Sequence, residues 1–141
     1  ISFNSFKGVK LEAGAKKIVA DLLYAKNMSA SLSQWYFISF EADPANSYSV
    51  YSARGTVESP VFDPANFGKD FVVNLAASYG GIRILSADFG NSNKISFHPL
   101  GKPYGSWTGF PLSVTGIITV EYSGLTRTIT VAPETGLIEL L

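Results

Sequence analysis

The chain has 141 residues and a mass of 15.2 kDa, which favours one domain large enough to bury a substantial core. With 46% hydrophobic and 16% charged residues, it holds too much apolar material and too little charge for a disordered chain. Eleven Lys+Arg balance eleven Asp+Glu, leaving no bulk field toward nucleic acid or an anionic membrane, and the absence of cysteine excludes disulfides, thiolate nucleophiles, zinc–thiolate sites and iron–sulfur clusters.

No run approaches the roughly 18 apolar residues of a membrane span. The charge is uneven along the chain. Lys7, Lys10, Lys16, Lys17 and Lys26 face only Glu12 and Asp21 in the first thirty residues, so the start is locally basic. The chain begins at Ile1 rather than Met, so a preceding segment is expected.

Leu11, Ala15, Ile18, Leu22, Ala25 and Ser29 recur in steps of four and three, the period of one helical face. Val19 and Leu23 widen the stripe, and Lys10, Lys17, Asp21 and Asn27 fall on the opposite face. Alanines favour the helix and Gly14 weakens it. The pattern predicts an amphipathic helix over residues 8–31, on the order of 35 Å long. Its apolar stripe requires a sheet to pack on.

The texture changes at Gln34. Residues 35–40 are aromatic and β-branched and read as a strand, which Asp43-Pro44-Ala45-Asn46 interrupts before a second strand at 48–51. Residues 52–68 read as loop. Further strands are expected at 71–76, 82–85 and 94–98, a Gly/Pro/aromatic loop at 99–113, and closing strands at 114–122, 126–131 and 137–140. A helix followed by short strands gives an α+β fold with the helix on an antiparallel sheet. The tetrapeptide Asp-Pro-Ala-Asn occurs at 43–46 and at 63–66, and both copies read as turns.

Chemistry is sparse. His98, the only histidine, has no recognisable partner, and no Gly-x-Ser-x-Gly elbow presents a serine to it. Asp63 and Asp70 are the nearest approach to a catalytic acid pair, and nothing in the pattern singles them out. Asp88-Phe89-Gly90-Asn91-Ser92-Asn93 offers oxygen ligands but lacks the order of a calcium loop, and reads first as an Asx-rich turn. No phosphate-binding glycine motif is present. The search yields no catalytic residue, no metal ligand and no cofactor. Lys102, Tyr104, Trp107 and Phe110 on the loop 101–110 are the candidate partner or ligand contacts. Aromatics on a Gly-rich loop stack on sugars or bases, so a carbohydrate- or DNA-binding β-rich module is the alternative reading.

Residues 95–103, Ile-Ser-Phe-His-Pro-Leu-Gly-Lys-Pro, form a strand followed by a Phe, three variable residues and a Gly. The strands Gly116-Ile117-Ile118-Thr119-Val120 and Arg127-Thr128-Ile129-Thr130-Val131 follow, then Ala132-Pro133-Glu134-Thr135-Gly136-Leu137-Ile138. With the Ala-rich helix and its passage into an aromatic strand, this order resembles the GspH/FimT-type minor pseudopilins. It covers residues 8–40 and 94–140. The resemblance implies a pilin-like head, with residues 1–33 as part of a helical stalk and 34–141 as a β-rich body. It implies a structural, non-enzymatic subunit at or near the tip of a type II secretion pseudopilus or type IV pilus, with other pseudopilins or pilins as partners. It further implies a bacterial periplasmic head, anchored in the inner membrane by an apolar segment upstream of Ile1. Leu11, Ala15, Ile18, Leu22 and Ala25 would be the helix face that packs on the head. Family members that take up DNA carry arginines just after the final Thr-Gly. Here Leu137 and Glu139 occupy that stretch, which argues against nucleic acid.

Overall fold

The first element, α1, runs from Phe3 to Leu32 and is about 45 Å long at 1.5 Å per residue. The computed structural model describes residues 3–141. The helix thus begins upstream of the expected residue 8, while the expected stalk residues Ile1 and Ser2 lie outside the described residues. Leu11, Ala15, Ile18, Leu22, Ala25 and Ser29 are all buried. Two neighbours depart from the sequence reading. Leu23, expected to widen the stripe, is 43% exposed, and Asp21, expected in solvent, is 5% exposed. Gly14 has a packing reason that propensity misses, because a Cβ there would lie 2.4 Å from the Ile82 side chain. The helix ends at Ser33, whose left-handed φ of 53° turns the chain into the first strand.

Ten strands follow, paired antiparallel in two sheets. β1 (Trp35–Glu41) lies at the centre of the first sheet, between β2 (Ser47–Arg54) and β6 (Lys94–Phe97). β3 (Val57–Pro60) and β4 (Val72–Asn74) both pair with the outer side of β2, and β7 (Pro103–Tyr104) with the outer side of β6. The second sheet runs in the order β10 (Ile138–Leu140), β9 (Leu125–Val131), β8 (Gly116–Tyr122), β5 (Arg83–Asp88). On β8, Gly116, Ile118 and Val120 are buried and Ile117 is exposed, the alternation of a half-covered strand. One continuous apolar core joins α1 to both sheets, from Leu11 and Ile18 through Ile38, Val50 and Ile95 to Ile118 and Ile129.

Three further corrections concern the middle of the chain. Residues 52–68 are not all loop, because β2 extends to Arg54 and turns through Gly55 into β3. The expected strand at 71–76 is cut short. Asn74 accepts the Ala77 N–H with its side-chain oxygen (3.0 Å) and caps a helical turn, α2 (Leu75–Ser78). The loop at 99–113 contains β7, so it is partly tied into the first sheet.

Candidate functional surfaces

Polar clamps fix the helix to the body, among them the buried Ser29 hydroxyl on the Phe97 carbonyl (2.8 Å) and the bonds of Asp21 and Lys26. Tyr48 on β2 donates its phenolic proton to Asp21 Oδ2 (2.5 Å), while Lys17 Nζ donates to Asp21 Oδ1 (3.1 Å). Burial is the main cause that raises the Asp21 carboxyl above its ordinary 3.8, against the lowering pull of Tyr48 and Lys17. Burial, with Asp21 alongside, pushes the Tyr48 phenol well above 10.0 and keeps it a donor. Nearer the end of the helix, Lys26 Nζ donates to the carbonyls of Thr135 (3.1 Å) and Gly136 (3.0 Å). That turn needs glycine. Gly136 has φ 69°, and a Cβ on it would lie 2.6 Å from the Gly101 carbonyl. The Thr-Gly of the sequence reading is therefore where the last β-turn meets the helix. Asp21 was missed because a lone acid reads as a solvated one. Its partner Tyr48 stands 27 residues away, with no local signal to link them.

The loop 101–110 does not present its aromatics as one platform. Tyr104 packs edge-on against Trp35, with ring centroids 4.8 Å apart, and lies stacked on His98 at 6.2 Å. Trp107 is half-buried, and Phe110 is 88% exposed at the rim of a 300 Å³ cavity that also borders Phe89 and Leu112. Lys102 forms an exposed ion pair with Glu134 (3.3 Å).

His98 Nδ1 accepts the Leu100 N–H (3.0 Å), and its ring meets the Trp35 ring edge-on at 5.1 Å. These are packing and turn contacts, with no acid or hydroxyl hydrogen-bonded to the imidazole among the described residues. Asp63 Oδ1 accepts the Ala65 N–H (2.8 Å), a local turn rather than a pairing with Asp70. In the Asx-rich segment, Asp88 Oδ1 accepts the Asn91 N–H (2.8 Å) and Asn93 Nδ2 donates to the Phe40 carbonyl (2.8 Å). The first bond closes the turn and the second ties it to β1. Among the described residues, no group of three or more metal-ligating His, Asp or Glu side chains forms.

Besides Phe110 and Leu100, exposed apolar side chains among the described residues include two neighbouring pairs. Between β3 and β4 the chain leaves the edge of β2 as an arm, residues 61–71, that holds Phe62 62% and Phe67 95% exposed. At the start of α1, Phe6 is 63% and Val9 68% exposed. Sequence reasoning passed over the arm because turn-forming residues surround its phenylalanines, and only the structure shows that they do not fold inward. Among the described residues, no helix is long and apolar enough to cross a membrane.

No protein-family model and no curated protein matches this sequence. Solved structures do match. The minor pseudopilin EpsH from the Type 2 Secretion System of Vibrio cholerae superposes with a TM-score of 0.68 at 12% identity, over 94% of this chain and 96% of EpsH. The type IV minor pilin FimU of Pseudomonas aeruginosa superposes with a TM-score of 0.58 at 13% identity, over 93% of this chain and 87% of FimU. A second crystal form of FimU gives 0.56 at 14% identity. The long helix laid on antiparallel sheets is thus the fold seen in a minor pseudopilin and a minor pilin.

Proposed function

We propose that this chain is the head of a structural minor pseudopilin or minor pilin, working at or near the tip of a type II secretion pseudopilus or a type IV pilus. The observation that carries this reading is the likeness to EpsH, which spans nearly the whole of both chains. The clamped helix supports it. A stalk joined to its head by Asp21–Tyr48 and by Lys26 on the Thr135–Gly136 turn moves with that head as one piece, as a load-bearing subunit requires. The reading assigns the protein no catalytic step and takes other pilin-like subunits as its partners. It places the head in the bacterial periplasm, tethered to the inner membrane by an apolar continuation of α1.

The coding region upstream of Ile1 tests this. About 20 apolar residues, the length of a membrane span, are expected there. A Gly–aromatic cleavage junction should precede them, with a Glu five residues into the mature chain. A conventional cleaved signal or a soluble domain in that place would overturn the proposal.

A further inference from the structure

Four elements converge on one polar cleft of 460 Å³. Lys17 comes from α1, Asp63 and Asn66 from the arm, Val72 from β4, and Ser78 and Tyr79 from α2 and the residue after it. The volume is that of a small-molecule site, about 300–1,000 Å³. The cleft adjoins the buried Asp21–Tyr48 clamp, because Lys17 belongs to both. Burial is the main cause that raises the Asp21 carboxyl and the Tyr48 phenol, and the Asp63 carboxylate adds to both. A cleft and a buried titratable pair thus lie side by side, the combination that marks a binding site.

The polar groups of the cleft are held in place, and several are left open. Asp63 and Asn66 sit three residues apart on one turn. That turn is closed by the Asn66 N–H on the Asp63 carbonyl (3.1 Å) and the Asp63 N–H on the Lys69 carbonyl (2.9 Å). Asp63 Oδ1 accepts the Ala65 N–H (2.8 Å), while Oδ2 has no hydrogen bond among the described residues. The Asn66 amide and the Ser78 and Tyr79 hydroxyls have none there either. Tyr79 is fixed through its N–H on the Leu75 carbonyl (2.9 Å) and packs against the core. Lys17 Nζ is held by Asp21 Oδ1 (3.1 Å) and lies 5.5 Å from the centre of the Phe71 ring. Charge narrows the ligand. An anion would meet the Asp63 carboxylate and a cation the Lys17 ammonium, so the cleft favours a neutral molecule rich in hydroxyls.

We propose that this cleft binds a neutral sugar. Adjacent ring hydroxyls donate to the open Asp63 oxygen and pair with the Asn66 amide, which both donates and accepts. The Ser78 and Tyr79 hydroxyls meet further sugar oxygens, and the apolar C–H face of the ring lies on the Val72 and Tyr79 side chains. The site is separate from the loop 101–110, where Tyr104 is packed against Trp35. A bound sugar bridges the arm, the helix and α2, three elements that share this cleft and are far apart in the chain.

Amide proton–nitrogen spectra of this chain test it, titrated in turn with glucose, galactose, mannose and N-acetylglucosamine to tens of millimolar. Chemical shifts are the readout rather than melting, because sugars stabilise folded proteins generally by exclusion from their surface. At least one sugar should move the signals of residues 63–66, 72–73 and 78–79 along a saturating curve. Phosphate and tetramethylammonium should leave them in place. Asp63→Ala and Asn66→Ala remove groups bonded only within the arm, so their spectra elsewhere should match the wild type. Each should weaken the sugar by about tenfold or more. No response to any of the four sugars would overturn the proposal, as would shifts confined to another surface or binding undiminished in either variant. Phosphate or tetramethylammonium moving the same signals as strongly would overturn the assignment of a neutral ligand. The upstream coding region is read independently, so failure here leaves the assignment as a pilin-like head to its own test.

Discussion

The tetrapeptide Asp-Pro-Ala-Asn occurs twice in this chain and has two different fates. At 43–46 it joins the two sheets. Asn46 is buried with a left-handed φ of 52°. Its amide donates to Asp43 Oδ1 (2.8 Å), its side-chain oxygen accepts the Ile84 N–H of β5 (2.8 Å), and its carbonyl accepts the Leu75 N–H (2.9 Å). Arg83 reaches the Asp43 carboxylate through Nε (3.2 Å) and Nη2 (3.3 Å). At 63–66 the same four residues close the tip of the arm. There Asp63 bonds only within the arm, and the Asn66 side chain makes no hydrogen bond among the described residues. The four residues encode a reversal of direction. Whether that reversal becomes a joint depends on β5, which is supplied from forty residues away at one site and is absent at the other.

Removing the asparagine from each turn gives the widest contrast. Asn46→Ala leaves the buried Ile84 N–H without its partner and places an alanine at positive φ. It should cost about 2–4 kcal/mol, read as a lower urea midpoint with an unchanged slope. A loss below about 1 kcal/mol would mean that the joint is held elsewhere.

Acid titration sharpens the picture by sign. Bonds from Arg83 and Asn46 hold the Asp43 carboxyl below its ordinary 3.8. Its contribution is therefore complete above that value and is lost as pH falls through the lower, folded one. Asp21 works in the other direction. Burial raises its folded value, so the native state binds the proton more tightly than the unfolded chain, and stability falls as pH rises from 3.8 through the raised value. In thermal melts taken across the acid range, Asp43→Asn should flatten the loss at the lowest pH, and Asp21→Asn the loss on the higher side. Both variants flattening the same limb would refute one of the two environments.

Smaller effects belong to the second turn. Asp63→Ala removes one exposed hydrogen bond and should cost about 0.5–1 kcal/mol in denaturant unfolding. Asn66→Ala should stay within about 0.5 kcal/mol of the wild type. A cost for Asn66→Ala comparable to that of Asn46→Ala would erase the distinction between the copies.

The same division between local and distant causes decides what the sequence discloses. The buried stripe Leu11–Ala25 is visible because a helix repeats its face every three to four residues, and the central strands because their aromatic and β-branched runs need no partner to be recognised. Leu23 was misplaced because the stripe is narrower than its apolar residues suggest. The end of β2 and the whole of β3 were missed because Ser52, Arg54, Glu58 and Ser59 give no sustained apolar alternation, and the pairing of the two strands supplies the order instead. The turn at Leu75 did carry a local sign, an Asn before Leu-Ala-Ala, which the apolar run ahead of it concealed. Asp21, Lys26 and the arm depend on residues tens of positions away. Composition shows such groups only as isolated charges and loop aromatics.

The Lys26 clamp also sets an order in time. Its two carbonyls lie 109 and 110 residues downstream, so during synthesis the helix waits for almost the whole chain before that bond can close. The strands that cover its stripe from the second sheet, β8, β9 and β10, are also among the last to be made. Leu11, Ile18 and Leu22 therefore pass most of translation uncovered, and contacts of such long sequence separation form slowly. Until residue 136 arrives, only the first sheet can cover the emerging helix, and the part of its stripe that the second sheet covers stays open to water.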